Sequence, residues 1–331
     1  MTQSPVLQME GPTMDKINST RATGPLARAN DTISRLGIET EYPFDRNFFD
    51  SPMGAMHFVD EGKGDPVLML HGNPTWSFLY RNIIPEIAKA HRVVAPDHIG
   101  FGLSDKPKDE AAYSLRHHIE NLEALVLELD LRDITLVMQD WGGPIGLAVA
   151  ARHPNRIKAL VILNTFGFYP PIDGVDPEKL KLPPPLLLMR SKGVGDFIVR
   201  RMGFFERQVM KLATATKRDR KIRNAYTGIF TSFAARAGVM AFPRMIPTNT
   251  AHPAAKVLLE ETGPYLDSYD GPAKIFWGVK DPLIPIGALA AWKKRLPQAQ
   301  VTEFAQARHY LQDDEPEALV SGLKEFLRRN G

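Results

Sequence analysis

Val67-Leu68-Met69-Leu70 and Leu160-Val161-Ile162-Leu163 are apolar at every position. A strand with one face in water alternates polar and apolar residues, so unbroken runs of this length belong to strands covered on both faces. Similar short runs recur at 92–96, 134–139, 274–277 and 301–304. Between them lie longer stretches with helical spacing. One spans 78–89. A second places Leu115, Ile119, Leu122, Leu125 and Leu129 at three- and four-residue intervals. Others begin near 144 and cover 288–295 and 316–329. Strand–helix alternation predicts an α/β chain built on a mostly parallel, twisted sheet with helices on both faces.

The rhythm breaks between 167 and 270. This stretch opens with a crowd of prolines (Pro170, Pro171, Pro177, Pro183, Pro184, Pro185), carries no strand signal, and then reads as helices. It is expected to be a helical insert set into a core formed by 46–166 and 271–331. Within it, residues 190–223 hold eleven Lys or Arg against three acids, while the whole chain carries only +3. Such a run reads either as solvated helix faces or as a contact for a polyanion or an acidic membrane. Residues 1–45 mix small, polar and charged residues without an apolar run and are expected to form a flexible arm. No stretch of about 18 apolar residues is present to span a membrane, and no secretory start is seen, so the expected location is the cytoplasm. The chain has no cysteine, which excludes disulfides, thiolate metal sites and a cysteine nucleophile. A mild +3 gives no footprint for nucleic acid.

Three loops follow predicted strands, where ligands of open α/β sheets gather. They are His71-Gly72-Asn73-Pro74-Thr75-Trp76, Met138-Gln139-Asp140-Trp141-Gly142-Gly143, and Asp281-Pro282. A late histidine, His309, follows the last strand. The second loop has the layout of a nucleophile elbow with Asp at its apex, although Met138 replaces the usual first glycine. Alone, an Asp-Trp-Gly-Gly loop is equally a helix-capping turn. Together, Asp140, Asp281 and His309 follow the chain order nucleophile, acid, histidine.

These residues, with Asp97-His98-Ile99-Gly100-Phe101-Gly102-Leu103-Ser104-Asp105 and Gln139-Asp140-Trp141-Gly142-Gly143, resemble the haloalkane dehalogenases within the α/β-hydrolase superfamily. The resemblance extends from about residue 45 to 330 and makes 167–270 a helical cap. Trp141 is shared with epoxide hydrolases, whereas Asn73 stands where those enzymes usually carry an aromatic residue. Position 164 is Asn rather than an acid, so the resemblance assigns the triad acid to Asp281, after the seventh strand. All four tryptophans (76, 141, 277, 292) lie outside the cap. That leaves Asn73 as the second halide donor beside Trp141, a combination found in a branch whose members often self-associate.

Catalytic residues Asp140, His309 and Asp281 then imply attack of a carboxylate on an alkyl carbon, followed by hydrolysis of the resulting ester. No cofactor and no metal is expected. The implied partners are a small haloalkane, water and halide. The backbone N–H groups of Asn73 and Trp141 are placed by the resemblance to receive charge on the ester oxygen. Halide needs hydrogen-bond donors rather than a proton, and an indole N–H and an amide NH₂ supply them. An epoxide hydrolase using the same three residues with a cap tyrosine (Tyr169, Tyr226 or Tyr265) is the alternative. A non-catalytic receptor is a further one, although a receptor has no need of an intact triad. His71, Asp97, His98 and Asp105 are read as structural, and His117-His118 as surface residues.

Overall fold

The computed structural model describes residues 23–178 and 180–330. Eight strands form one sheet in the order β1-β2-β4-β3-β5-β6-β7-β8. They are β1 (Asn47–Ser51), β2 (Gly54–Glu61), β3 (Pro66–Leu70), β4 (Arg92–Pro96), β5 (Ile134–Asp140), β6 (Ile157–Thr165), β7 (Ala273–Gly278) and β8 (Gln300–Phe304). β2 runs antiparallel to both neighbours, and from β4 to β8 every pairing is parallel. The unbroken apolar runs occupy the sheet centre: Val67 to Leu70 and Leu160 to Leu163 are buried on both faces, as a doubly covered sheet requires.

The longer helices are α1 (Thr23–Leu36), α2 (Leu115–Glu128), α3 (Gly142–Arg152), α4 (Pro184–Arg190), α5 (Phe204–Leu212), α6 (Arg220–Thr227), α7 (Ala237–Met245), α8 (Ile286–Arg295) and α9 (Pro316–Asn330). The predicted spacing in α2 is realised, with Leu115, Ile119, Leu122 and Leu125 buried and Ser114 capping its first turn through His117 N–H at 3.2 Å. Among the described residues, α4 to α7 and several shorter turns fill 167–270 without a strand. No helix among the described residues is long and apolar enough to cross a membrane.

Three expectations are corrected. The single helix over 78–89 is two short turns, Ser77–Tyr80 and Ile84–Ile87; Pro85, which cannot donate an N–H, sits at the start of the second. The flexible arm over 1–45 does not extend to 45: residues 1–22 lie outside the described residues, but α1 follows, and Ala29, Ile33, Ile38, Tyr42 and Phe44 are buried. His118 is no surface residue; it is buried at the ring of Phe242, with centroids 4.6 Å apart. At the sheet edge β1 and β2 form an antiparallel hairpin that the apolar runs do not mark.

Candidate active site

β5 ends at Asp140, whose φ of 50° lies in the left-handed region. That strained turn carries the chain from β5 directly into α3 and lifts the carboxylate onto the C-terminal edge of the sheet. The close crossing needs glycine on both sides. A Cβ on Gly143 would collide with Thr165 Oγ1 and the Phe166 carbonyl, and a Cβ on Gly72 would run into Asp140 Oδ1. Without a side chain at 72, the loop after β3 lies against Asp140. There the Asn73 N–H donates to Asp140 Oδ1 at 2.8 Å.

The other carboxylate oxygen, Asp140 Oδ2, is 3.5 Å from His309 Nε2, a charge contact longer than a good hydrogen bond. His309 Nδ1 is 2.7 Å from Asp281 Oδ2. Asp281 follows β7 and is held at every lone pair it turns inward. Oδ1 accepts from Leu283 N–H at 2.7 Å and Ile284 N–H at 3.1 Å, and Oδ2 also accepts from Asn164 Nδ2 at 2.7 Å. His309 is fully enclosed, and burial alone would drive its imidazole toward the neutral form. The Asp281 carboxylate, helped by Asp140, overrides that and holds it up at about 10. The two aspartates on either side of the ring thus favour its charged form against the cost of burial.

Trp141 is buried between Phe166 and Phe242, each edge-on with centroids 5.1 Å from it. Its indole N–H has no hydrogen-bond partner among the described residues. The Asn73 side chain lies under α7, its Nδ2 3.4 Å from the Val239 carbonyl, while its Oδ1 is buried without a partner. The wall around the carboxylate is thus apolar, with two neutral donor groups set into it.

The five residues singled out by sequence, Asp140, His309, Asp281, Asn73 and Trp141, fall in this one place. Several others fall elsewhere. His71 is a loop brace, its Nε2 accepting from His98 N–H at 2.9 Å, and Asp97 accepts from Ser77 and Leu103 N–H while contacting His57. Tyr169 donates to the Pro177 carbonyl, Tyr226 to Asp313, and Tyr265 lines a surface crevice with Arg152 and Lys158. Two neighbours went unassigned. The Gln139 carboxamide lies 2.8 Å from His309 Nε2, and Asn164 braces both Asp281 and Gly278. Asn164, a polar residue closing an apolar strand, carried a legible signal. Phe242 and Val239 carried none. Among the described residues, no group of three or more His, Asp or Glu is arranged to hold a metal ion.

An alpha/beta hydrolase fold family profile matches residues 65–316. A cis-3-alkyl-4-alkyloxetan-2-one decarboxylase from Shewanella oneidensis is 37% identical over 295 residues, covering 88% of this chain and 90% of that protein. Haloalkane dehalogenase 2 from Mycobacterium tuberculosis is 34% identical over 285 residues, 86% of this chain and 95% of that protein. Among solved structures, the haloalkane dehalogenase DatA from Agrobacterium tumefaciens superposes with a TM-score of 0.75 at 26% identity, covering 86% of this chain and 97% of that one.

Proposed function

Because the chain belongs to the alpha/beta hydrolase fold family, we propose that Asp140 is the nucleophile of a two-step haloalkane dehalogenase. The observation that carries this reading is the division of labour between its two oxygens. Oδ1 is engaged by the Asn73 N–H at 2.8 Å, which leaves Oδ2, on the His309 side, to attack an alkyl carbon. The carbon–halogen pair departs with the halide, a new carbon–oxygen bond forms, and Oδ1 becomes the ester carbonyl already seated at an N–H donor. Trp141 Nε1 and Asn73 Nδ2 are the proposed halide donors; the latter turns from its long contact with Val239 O.

Esterification also removes the negative charge of Asp140 from beside His309. The imidazolium then gives up its proton more readily, and the neutral ring becomes a base for water. Water adds to the ester carbonyl, the alcohol leaves, and Asp140 returns as carboxylate while Asp281 keeps the ring oriented. A water acting at Nε2 must share or displace the Gln139 contact. Residues 167–270 serve as the cap that walls this chemistry off, and 46–166 with 271–331 as the core. The epoxide route loses support because Tyr169, Tyr226 and Tyr265 are all engaged or placed elsewhere.

A second reading is favoured by the 37% identity to the oxetanone decarboxylase. A ring carboxylate, like halide, is a weakly basic leaving group that needs donors and no acid. Attack of Asp140 on the oxygen-bearing ring carbon opens the lactone to a carboxylate. Loss of carbon dioxide then sends the carbon–carbon pair into the alkene and expels Asp140. That cycle uses no water and no base, so it asks no proton transfer of His309.

The two readings part in one experiment. Bromoalkanes should release halide and alcohol, and His309→Ala should accumulate the alkyl ester on Asp140 as a mass increase. Alkene from a cis-3,4-dialkyloxetan-2-one without halide release from bromoalkanes would transfer the assignment to the second reading. Activity persisting in Asp140→Ala would remove both.

A further inference from the structure

Among the described residues, the outer face of the helical segment carries large apolar side chains that nothing covers. Of thirteen exposed large apolar side chains among the described residues, eight fall between 187 and 233; scattered exposure would not concentrate in this way. Leu187 and Leu188 on α4, Val194, Phe197 and Met202 on the following turns, and Phe204 at the start of α5 are each 40–58% exposed. The elements that carry them touch one another in sequence, and the Arg200 guanidinium lies 4.1 Å over the ring of exposed Phe233.

Basic side chains are interleaved with these residues. Lys192, Arg201, Arg207 and Lys211 are exposed here, and none meets a carboxylate among the described residues. Between Lys192 and Lys211 the two acids are already neutralised. Asp196 accepts from Gly193 N–H at 2.9 Å and from Arg244 at 3.2 Å, and buried Glu206 is paired with Arg236 at 2.6 Å. The face is apolar with an uncompensated positive surround.

It also lies one helix away from the candidate site. Arg190 and Arg244 lace α4 to α7 through backbone carbonyls at 2.8 Å and 3.0 Å, and the inner side of α7 supplies Val239 O and Phe242 to Asn73 and Trp141.

We propose that this face docks the protein on an anionic lipid bilayer, with the apolar side chains entering the headgroup–acyl boundary and the basic ones meeting lipid phosphates and carboxylates. Apolar residues alternating with unpaired Lys and Arg are what an interfacial helix presents to such a surface. A second copy is the poorer occupant, since a two-fold contact would set this cationic patch against itself. The docking places the layer over Asp140 against the phase in which apolar substrates concentrate, whichever electrophile the site opens.

The test is flotation of the full chain with phosphatidylcholine vesicles, with and without phosphatidylserine. Binding is expected only to the anionic vesicles and should weaken as salt rises. K192E/R201E should weaken it about fivefold or more per charge, and F197S/F204S should also weaken it. As an independent readout, Phe197→Trp should shift its emission to the blue on anionic vesicles. Equal binding to neutral vesicles, no binding, or an unshifted Trp at 197 would overturn the proposal. So would a concentration-dependent dimer, formed without lipid, that both double variants abolish, because the occupant would then be a second copy.

Discussion

In the proposed mechanism Asn164 acts through Asp281 on chemistry it does not touch. Asn164 Nδ2 lies 2.7 Å from Asp281 Oδ2, the oxygen facing His309 Nδ1, while Asn164 Oδ1 accepts from Gly278 N–H at 2.7 Å. One amide therefore fixes both the carboxylate and the strand end from which it springs. Asn164→Ala should leave a buried donor and carboxylate oxygen under-partnered, lowering stability by about 1–3 kcal/mol. It should also slow turnover more than it weakens substrate binding, because the imidazole loses its orientation. Steady-state kinetics and thermal unfolding check the two halves separately, and an unchanged kcat would remove Asn164 from the positioning role. At this scale the sequence was informative wherever chemistry needs a rare residue type. Asp at an elbow apex, a late His and an Asp after a strand are legible one by one. Gln139 was not, because a glutamine inside a strand has no fixed partner until the histidine 170 positions later is folded onto it.

The helical segment is tied to the sheet by a buried polar junction. Arg81, from the turn after β3, is 2.7 Å from Asp313 Oδ1 and donates to Tyr226 Oη at 3.1 Å, and Tyr226 on α6 donates to Asp313 Oδ2 at 2.9 Å. Trp76 Nε1 reaches the Ala225 carbonyl at 3.0 Å beside it. Arg81 and Asp313 are both buried, so removing either leaves the other's charge uncompensated. Arg81→Met alone should destabilise by about 3–5 kcal/mol, whereas Arg81→Met with Asp313→Leu should recover much of that loss. Urea unfolding of the single and double variants measures the difference, and equal losses would mean the charges are not coupled. Elements differed in legibility for physical reasons. Strands β3 and β4 were placed from 66–70 and 92–96 because double burial writes a continuous apolar run. β1 was missed because at the sheet edge Asn47, Phe48 and Phe49 are only half-buried and Asp50 is exposed, which leaves no clear period. The apolar spacing over 78–89 does not make one helix because Pro85 interrupts the ladder.

The whole molecule has an acid liability that neither the sheet nor the candidate site requires. His71, His98 and His118 lie together beneath the loops after β3 and β4, with ring centroids of 4.5 Å between the first two and 5.9 Å between the last two. Burial is the leading cause that lowers all three, His118 to about 3. The sequence could not show this, since adjacent His117 and His118 on a helix read as surface residues until Phe242 arrives from α7 to cover the second. In the unfolded chain each titrates near 6.5, so between there and the folded value the unfolded state binds protons that the folded state does not. Stability must therefore fall as pH drops below about 6.5, by about 1.4 kcal/mol per pH unit for each such histidine. His309 does not oppose this trend. Its folded value is raised, so its contribution is complete below 6.5 and is lost only as pH climbs toward about 10. His118 has neither ring nitrogen partnered among the described residues and packs on an aromatic ring, so His118→Leu removes a cost rather than a contact. The variant should match or exceed the parent at pH 7 by about 1 kcal/mol. Between pH 6.5 and 5 its stability should decline less steeply by one histidine's share, about 1.4 kcal/mol per unit. Urea unfolding across that window reads both quantities, and parallel pH profiles for parent and variant would show that His118 is protonated in the folded protein.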